Sequence, residues 1–419
     1  MALKGDRFDG HAFLAEAAAK GSTAAVVRKG TAVQGIPLFE VEDTLRALGA
    51  LAAFHRKRFS IPVASVGGSA GKTTTKEMVA AILRVRGPAL VTEGNFNNEI
   101  GVPLTLLELG REHRAAVVEL GMSTSGELAR ITAIACPDAA VLTLIAAEHL
   151  EFLKDLDGVA AAEGELYRGL LPGAIAVVNA DDARCVAQAE RVVSGVRKIF
   201  FGRSARADVR LVGSTSLGAE GQEILLEGEE RKIRITARLG FVGEHNAMNA
   251  AAAAATAFAL SFSFEEVSRG LSAARPYSHR SRVVAGAGGI TILDDCYNAS
   301  LASMEAALAT LASLRGPGRA IAVLGDMLEL GAFEEEAHRG LGRGARGRVD
   351  VAAFFGPRSL HSFEEFSSSP SSLSAHFTDV QPLLAWLRPR LQPGDTVLVK
   401  GSRGMKLERV VDALSKEAP

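Results

Sequence analysis

The sequence predicts an α/β protein of roughly three domains, and three observations carry that reading. Short continuous apolar runs alternate with helix-like runs over most of the chain, as parallel strands covered on both faces require. One such run ends in "GGSAGKTTT" (67–75), a glycine-rich turn that opens onto a helical pattern. Between Val209 and Leu239 the pattern changes to mixed runs parted by glycines, which suits antiparallel strands.

In chain order, strands are expected at Ile61–Val66, Ala115–Leu120, Ala139–Ile145, Ala174–Asn179, Ile290–Asp294, Ala320–Leu324, Val351–Phe355 and Thr396–Val399. Helical stretches such as Thr73–Leu83 and Asn246–Leu260 supply the crossovers between them. "VRLVGSTSL", "EILLEG" and "RKIRITARL" are expected to form a small antiparallel side sheet on the central domain. The serine-rich "SFEEFSSSPSSLSAH" (Ser362 to His376) reads as a surface loop or an irregular edge. A small first unit ends near "AFHRKRFS", and Pro276 in "SAARPYSHRS" follows a helix where a new strand series begins. The division is therefore about 1–58, 59–275 and 276–419.

Composition narrows the function classes. Apolar residues make up 47% and charged residues 23%, ordinary for a globular chain. A formal net charge of −1 gives no basic field for nucleic acid, and 5% aromatics leave few platforms for stacking bases. Cys136, Cys185 and Cys296 lie far apart and in no C-x-x-C spacing, so they read as reduced thiols. No apolar run approaches the ~18 residues that a membrane span needs. The charged opening "MALKGDRFDGH" is unlike a signal peptide. A cytoplasmic protein, monomeric by default and without membrane insertion, is expected.

The glycine-rich turn carries the sharpest chemistry. A strict phosphate loop has Gly, four residues, then Gly-Lys-Ser/Thr. Here Gly71, Lys72 and Thr73 fit, Val66 holds the first position, and the glycines sit at Gly67 and Gly68. The physics survives the change. Backbone N–H groups from Gly68, Ser69, Ala70 and Gly71 can turn toward an anion. The helix that follows, with Thr73 and Thr74 in its first turn, favours negative charge. Lys72 suits the β- and γ-phosphates, and the Thr73 hydroxyl suits Mg²⁺. The bland alternative is a glycine turn with no ligand. The loop alone implies ATP or GTP and names no reaction.

Four polar clusters stand at the ends of apolar runs, the edge where open α/β sheets take ligands. They hold Asn97 and Asn98; Glu119; Glu148, His149 and Glu163; and Asp294, Asp295, Tyr297 and Asn298. Each has a plain reading as well. The asparagines suit turns, Glu119 and the two aspartates suit helix caps, His149 suits a satisfied loop histidine, and Cys296 suits a small apolar filler.

Taken together and in order, these stretches resemble the Mur ligase family. "GGSAGKTTT", "NFNNEIGVPLTLL", "VVELGMSTSGEL", "AEHLEFL", "GEHNAMNAAAAAA", "DDCYNASLASM", "AVLGDMLELG" and "VLVKGSRGMKLE" carry the likeness over nearly the whole chain. "ALKGDRFDGHAFLAEAAAKG" extends it to the first domain. "DD-x-YNA" and "GDM-x-ELG" resemble the branch that adds D-alanyl-D-alanine, and no "DNPR" of the diaminopimelate-adding branch is present. The resemblance implies a small N-terminal α/β domain, a central P-loop ATPase-like domain and a C-terminal Rossmann-like domain. It implies that ATP phosphorylates the terminal carboxylate of a UDP-N-acetylmuramoyl tripeptide, and that the amine of D-alanyl-D-alanine then attacks the acyl phosphate. It implies Lys72 on the phosphates, Thr73 and Glu119 on one Mg²⁺, His149 on a second, and Asn98 on the phosphate side. Asn246 and Asn249 are implied near the adenine. Arg280, Asp294, Tyr297 and Asn298 are implied to reach the nucleotide and the dipeptide from the third domain.

Two departures stand out. Glu163 occupies the place of a lysine that the family carbamylates, so its carboxylate is expected to replace the carbamate at the second Mg²⁺. The family's opening strand and "DSR" turn, which help to hold the uridine nucleotide, are missing before "MALKGDRFDG". A trimmed first domain or a misassigned start is expected. The rival readings are another amino-acid ligase of the same superfamily, a nucleotide-binding protein that has lost ligase activity, and a small-molecule kinase.

Overall fold

A computed structural model of the chain describes residues 1–5, 8–33, 35–228, 233–368 and 373–416. Three sheets organise it. The first is a parallel pair, β1 (Ala25–Arg28) and β2 (Leu38–Val41), over a small cluster of Ala2, Leu14, Ala25 and Val27. The helix Thr44–Arg56 follows. It packs chiefly on the helices Gly101–Leu107 and Glu127–Ala135 of the next unit, and Ala52 joins that unit's core.

The second sheet has nine strands. Its members are β3 (Val63–Gly67), β4 (Ala89–Val91), β5 (Ala115–Glu119), β6 (Ala139–Leu142), β7 (Ile175–Asn179), β8 (Arg197–Gly202), β9 (Val209–Ser216), β10 (Gln222–Gly228) and β11 (Ile233–Leu239). Their spatial order is β11-β10-β9-β8-β7-β6-β3-β5-β4. The strands β3, β5, β6 and β7 are buried throughout, which explains their unbroken apolar runs. The expected side sheet is not detached. β9 pairs in parallel with the end of β8 through Phe201 and Gly202, so β9, β10 and β11 extend the same sheet. Arg231 and Lys232 of "RKIRITARL" lie outside the described residues, as do Asp6 and Arg7 of the opening segment.

The helix Glu244–Ala259 covers this sheet and packs against the helix Lys72–Leu83. Residues Ala250 to Ala255 are all buried. Alanine has the highest helix propensity, and its short side chain lets the two helices approach closely.

The third sheet has six strands: β12 (Arg282–Ala285), β13 (Thr291–Asp294), β14 (Ala320–Gly325), β15 (Val351–Phe355), β16 (Leu373–Phe377) and β17 (Thr396–Lys400). The order is β12-β13-β17-β14-β15-β16, parallel except for β12. The serine-rich segment is more regular than expected. It holds most of the helix Leu360–Ser367 and enters the edge strand β16, while residues 369–372 lie outside the described set. Among the described residues, no helix is long and apolar enough to cross a membrane.

In both large sheets the strand order reverses beside a central strand, β3 in one and β17 in the other. Ligands of open α/β sheets bind at such points, outside the carboxyl ends of the strands. Here the two carboxyl edges face one crevice of about 610 Å³, walled by residues that follow β3, β5, β6, β13, β14 and β17.

Candidate active site

The phosphate loop is built by close approach. Gly68 has φ +112° and Gly71 has φ +85°. A Cβ on Gly68 would lie 2.8 Å from the Thr143 nitrogen, and one on Gly71 would lie 2.5 Å from Asn249 Oδ1. Neither position admits a side chain without displacing a neighbour. The loop is braced against the segment after β6. The Ser69 N–H donates to the Leu144 carbonyl (2.8 Å), the Ala146 N–H donates to Ser69 Oγ (2.9 Å), and Thr143 Oγ1 donates to the Ala70 carbonyl (2.5 Å). Ser69, Ala70, Gly71, Lys72, Thr73 and Thr74 all line the crevice.

Lys72 folds back over this loop. Its Nζ donates to the Gly68 carbonyl (2.5 Å) and stands 3.6 Å from Glu148 Oε2. Burial pulls its ammonium pKa down, but the charges of Glu148, Glu163 and Glu119 outweigh burial and hold it above its ordinary value. The lysine is therefore held as a cation where a polyphosphate would lie.

The carboxylates divide into two kinds. Glu119, at the end of β5, accepts from Asn97 Nδ2 through Oε1 (2.9 Å), and its N–H donates to Thr92 Oγ1 (2.9 Å). Its Oε2 is buried without a partner, and so is Glu148 Oε1. Orphaned buried oxygens cost stability unless a ligand satisfies them. Both residues are in the crevice wall, beside Thr73 and His149. Hard oxygen donors of this sort fit Mg²⁺. His149 has φ +50°, and its Nδ1 pairs with Glu329 Oε2 (2.6 Å) from the third unit.

Glu163 is different. It stands behind the loop rather than in the crevice wall, and its Oε2 accepts the Gly68 N–H (2.9 Å). Burial, partly offset by Lys72, raises its pKa to about 8, and Glu148 adds to the rise. In this structure Glu163 braces the phosphate loop, and a side-chain hydrogen bond to Glu148 and the charge of Lys72 keep its carboxyl beside the charged groups of the crevice.

The opposite wall comes from the third sheet. The Arg280 guanidinium stacks on Tyr297, with 4.1 Å from Cζ to the ring centroid, and its Nε is buried without a partner. Tyr297 and Asn298 line the crevice as expected, but Asp294 does not. Asp294 turns away to His279, with 2.9 Å between Oδ2 and Nδ1. Successive side chains of an extended segment point to opposite faces, so the crevice receives Asp295 instead. Asp295 accepts the Ser281 N–H (2.9 Å) and pairs with the buried Lys400 (2.7 Å), whose Nζ also donates to the Asn298 carbonyl (2.9 Å).

Asn246 and Asn249 reach the wall with their amides already engaged. Asn249 Nδ2 donates to Asn246 Oδ1 (3.0 Å), and Asn246 Nδ2 donates to the Val242 carbonyl (2.8 Å). Asn98 lines the crevice too, but its Oδ1 accepts the N–H groups of Ile100 (3.1 Å) and Gly101 (2.9 Å) at a helix start. Sequence reasoning assigned no role to Glu148, Asp295, Lys400, Arg403, Glu329 or His245, which also wall the crevice. Signals existed for some of them. Glu148 neighbours His149, Asp295 neighbours Asp294, and Lys400 directly follows the predicted strand Thr396–Val399.

A phosphate loop on one parallel sheet, facing an arginine–tyrosine pair on another across a shared crevice, defines a nucleotide-dependent enzyme of two cooperating α/β units. Comparison with known proteins sharpens this. Residues 66–257 match the model of the Mur ligase middle domain, and residues 279–403 match that of the Mur ligase, glutamate ligase domain. The UDP-N-acetylmuramoyl-tripeptide–D-alanyl-D-alanine ligase of Escherichia coli (strain K12) is 37% identical over 421 residues, covering 99% of this chain and 90% of that protein. The enzyme of the same name from Bacillus subtilis (strain 168) is 35% identical, covering 98% and 89%. A crystal structure of MurF from Acinetobacter baumannii superposes with a TM-score of 0.90 at 34% identity, covering 99% of this chain and 90% of that one. A MurF ligase from Thermotoga maritima, solved in complex with ADP, gives 0.89 at 30% identity, covering 99% and 93%. The chain belongs to the Mur ligase family, in the branch of the UDP-N-acetylmuramoyl-tripeptide–D-alanyl-D-alanine ligases.

Proposed function

We propose that the chain is an ATP-dependent carbon–nitrogen ligase that adds D-alanyl-D-alanine to UDP-N-acetylmuramoyl tripeptide, a step of peptidoglycan precursor synthesis. The observation that carries this reading is the shared crevice, with a phosphate loop on one wall and Arg280, Tyr297 and Asn298 on the other. A carboxylate is a poor electrophile at neutral pH. Transfer of the ATP γ-phosphoryl group to it creates a leaving group, and the dipeptide amine then displaces phosphate to form the amide. The protein's work is positioning and charge neutralisation.

In this reading Lys72 and the N–H groups of the loop from Gly68 to Gly71 hold the β- and γ-phosphates, and Thr74 closes the first helical turn. Asn246 and Asn249 border the base. Arg280 faces the negative charge that develops during phosphoryl transfer, and Tyr297 keeps the guanidinium flat and directed. Asp294 acts through His279 and Cys296, as a support for the loop carrying Arg280. Mg²⁺ would be held by Thr73 and Glu119, with His149 and Glu148 for a second ion, and when bound it supplies charge neutralisation on the phosphates. A crevice closed from both sides excludes water that would hydrolyse an acyl phosphate.

The test is phosphate release from ATP and Mg²⁺ with the UDP-linked tripeptide, with and without D-alanyl-D-alanine. Release that needs both acceptor substrates, with a UDP-linked pentapeptide by mass, is expected. Release that ignores the dipeptide would sink the ligase assignment.

A further inference from the structure

We propose that His279, Asp294 and Cys296 form a binding site for a soft divalent cation of the zinc class, at the root of the third unit's catalytic face. These three side chains bring an imidazole nitrogen, a carboxylate oxygen and a thiol sulfur within 4.8 Å of one another. Cys296 Sγ lies 3.6 Å from His279 Nδ1 and 3.1 Å from Asp294 Oδ1, and His279 Nδ1 lies 2.9 Å from Asp294 Oδ2. Donors around a tetrahedral zinc stand about 3.4–3.6 Å apart, given the usual bond lengths. The His279–Cys296 separation already matches that spacing, and Asp294 reaches the two through its separate oxygens, so a small rotation of its carboxylate would bring one oxygen to the ion.

The donor set selects the metal. One sulfur, one imidazole and one carboxylate suit Zn²⁺ far better than Mg²⁺, which demands six oxygen-type ligands. Charge agrees. A thiolate and a carboxylate neutralise a dication, so the loaded site carries no net charge into a buried place. Cys296 and Asp294 are buried, while His279 keeps 28% of its side chain exposed and leaves a path for entry and a fourth ligand. Binding replaces the thiol proton, which leaves to solvent.

The site also has a mechanical consequence. His279 precedes Arg280, and Cys296 precedes Tyr297, so the ion would tie together the two loops that carry the stacked pair. The His279 carbonyl already accepts the Tyr297 N–H at 3.1 Å.

The test uses the full chain, stripped of metal and kept reduced. Cobalt(II) is titrated in the presence of excess Mg²⁺, and the spectrum is followed. One equivalent should give a thiolate-to-cobalt charge-transfer band and tetrahedral visible bands, and zinc should bleach both stoichiometrically. Cys296→Ser should remove the charge-transfer band, and His279→Gly should weaken binding at least tenfold. His279 has φ +60°, which glycine adopts freely, so that variant keeps its fold even where Cys296→Ser does not. No band at stoichiometric cobalt, a band that survives Cys296→Ser, or unchanged affinity in His279→Gly would overturn the proposal.

Discussion

Glu163 ties the phosphate loop to a proton. Its carboxyl is buried, accepts the Gly68 N–H and has a pKa raised to about 8, with burial the leading cause. In the unfolded chain a glutamate ionises near 4.5. Between those values the folded state therefore binds more protons than the unfolded state, and stability falls as pH rises through that window. Above about 8 the penalty is constant, and below about 4.5 it is absent. Glutamine keeps an acceptor for Gly68 and never ionises. Glu163→Gln should leave the ligand-free melting temperature near that of the parent at pH 4.5 and raise it by several degrees at pH 8, with no further divergence beyond. Parallel melting curves across that range would show that burial does not control this group. Activity should persist in the same variant at a Mg²⁺ requirement close to the parent's if Glu163 only braces the loop, whereas a markedly higher requirement would place its carboxylate at the second ion.

Two polar links among those that brace the crevice walls can be tested singly. Asn98 accepts two N–H groups where the helix Gly101–Leu107 begins. Losing such an acceptor costs about 0.5–2 kcal/mol. Asn98→Ala should lower unfolding stability by that amount while the KM for ATP moves less than threefold; a large KM rise with unchanged stability would instead favour direct phosphate contact. On the other wall, Lys400 joins β17 to the loop after β13 through Asp295 and the Asn298 carbonyl. Lys400→Met leaves Asp295 buried against no cation, a change that costs about 3–5 kcal/mol. Denaturant unfolding should show that loss, and Lys400→Met with Asp295→Asn should recover part of it. The same scale explains which elements were legible. Strands buried on both faces, such as β3, β5, β7 and β15, stood out as unbroken apolar runs. β4 has three residues, β8 and β12 are only half covered, and β16 is an edge strand inside serine-rich sequence, so none left that signature. The antiparallel trio was legible as strands but not as an extension of the main sheet, because its link to β8 is two residue pairs.

At the scale of the whole molecule, the site exists because two carboxyl edges meet, and a sequence does not state how two units dock. The loop residues and Glu119 were legible, since strand, glycine turn and helix are local patterns. Glu329 was not, since it meets His149 across 180 residues and from another unit, and the pairing of Lys400 with Asp295, 105 residues away, was not either. The docking itself rests on few polar contacts. Glu329 pairs with His149, the Glu151 N–H donates to the Glu329 carbonyl (3.4 Å), and Ser281 Oγ lies 3.5 Å from His245 Nε2. Glu329 is half exposed, so its pair with His149 contributes at most about 1 kcal/mol after solvent screening. That is still enough to shift a docked–open balance by up to about fivefold. Glu329→Ala should therefore increase the radius of gyration of the nucleotide-free protein in solution scattering. It should raise the KM for D-alanyl-D-alanine more than that for ATP, because the phosphate loop belongs to the central sheet alone. Saturating nucleotide should draw the scattering curve back toward the parent's, since ligand contacts on both walls replace the lost pair. A variant whose scattering matches the parent with and without nucleotide would show that apolar contact between the units, and not this pair, sets the docked state.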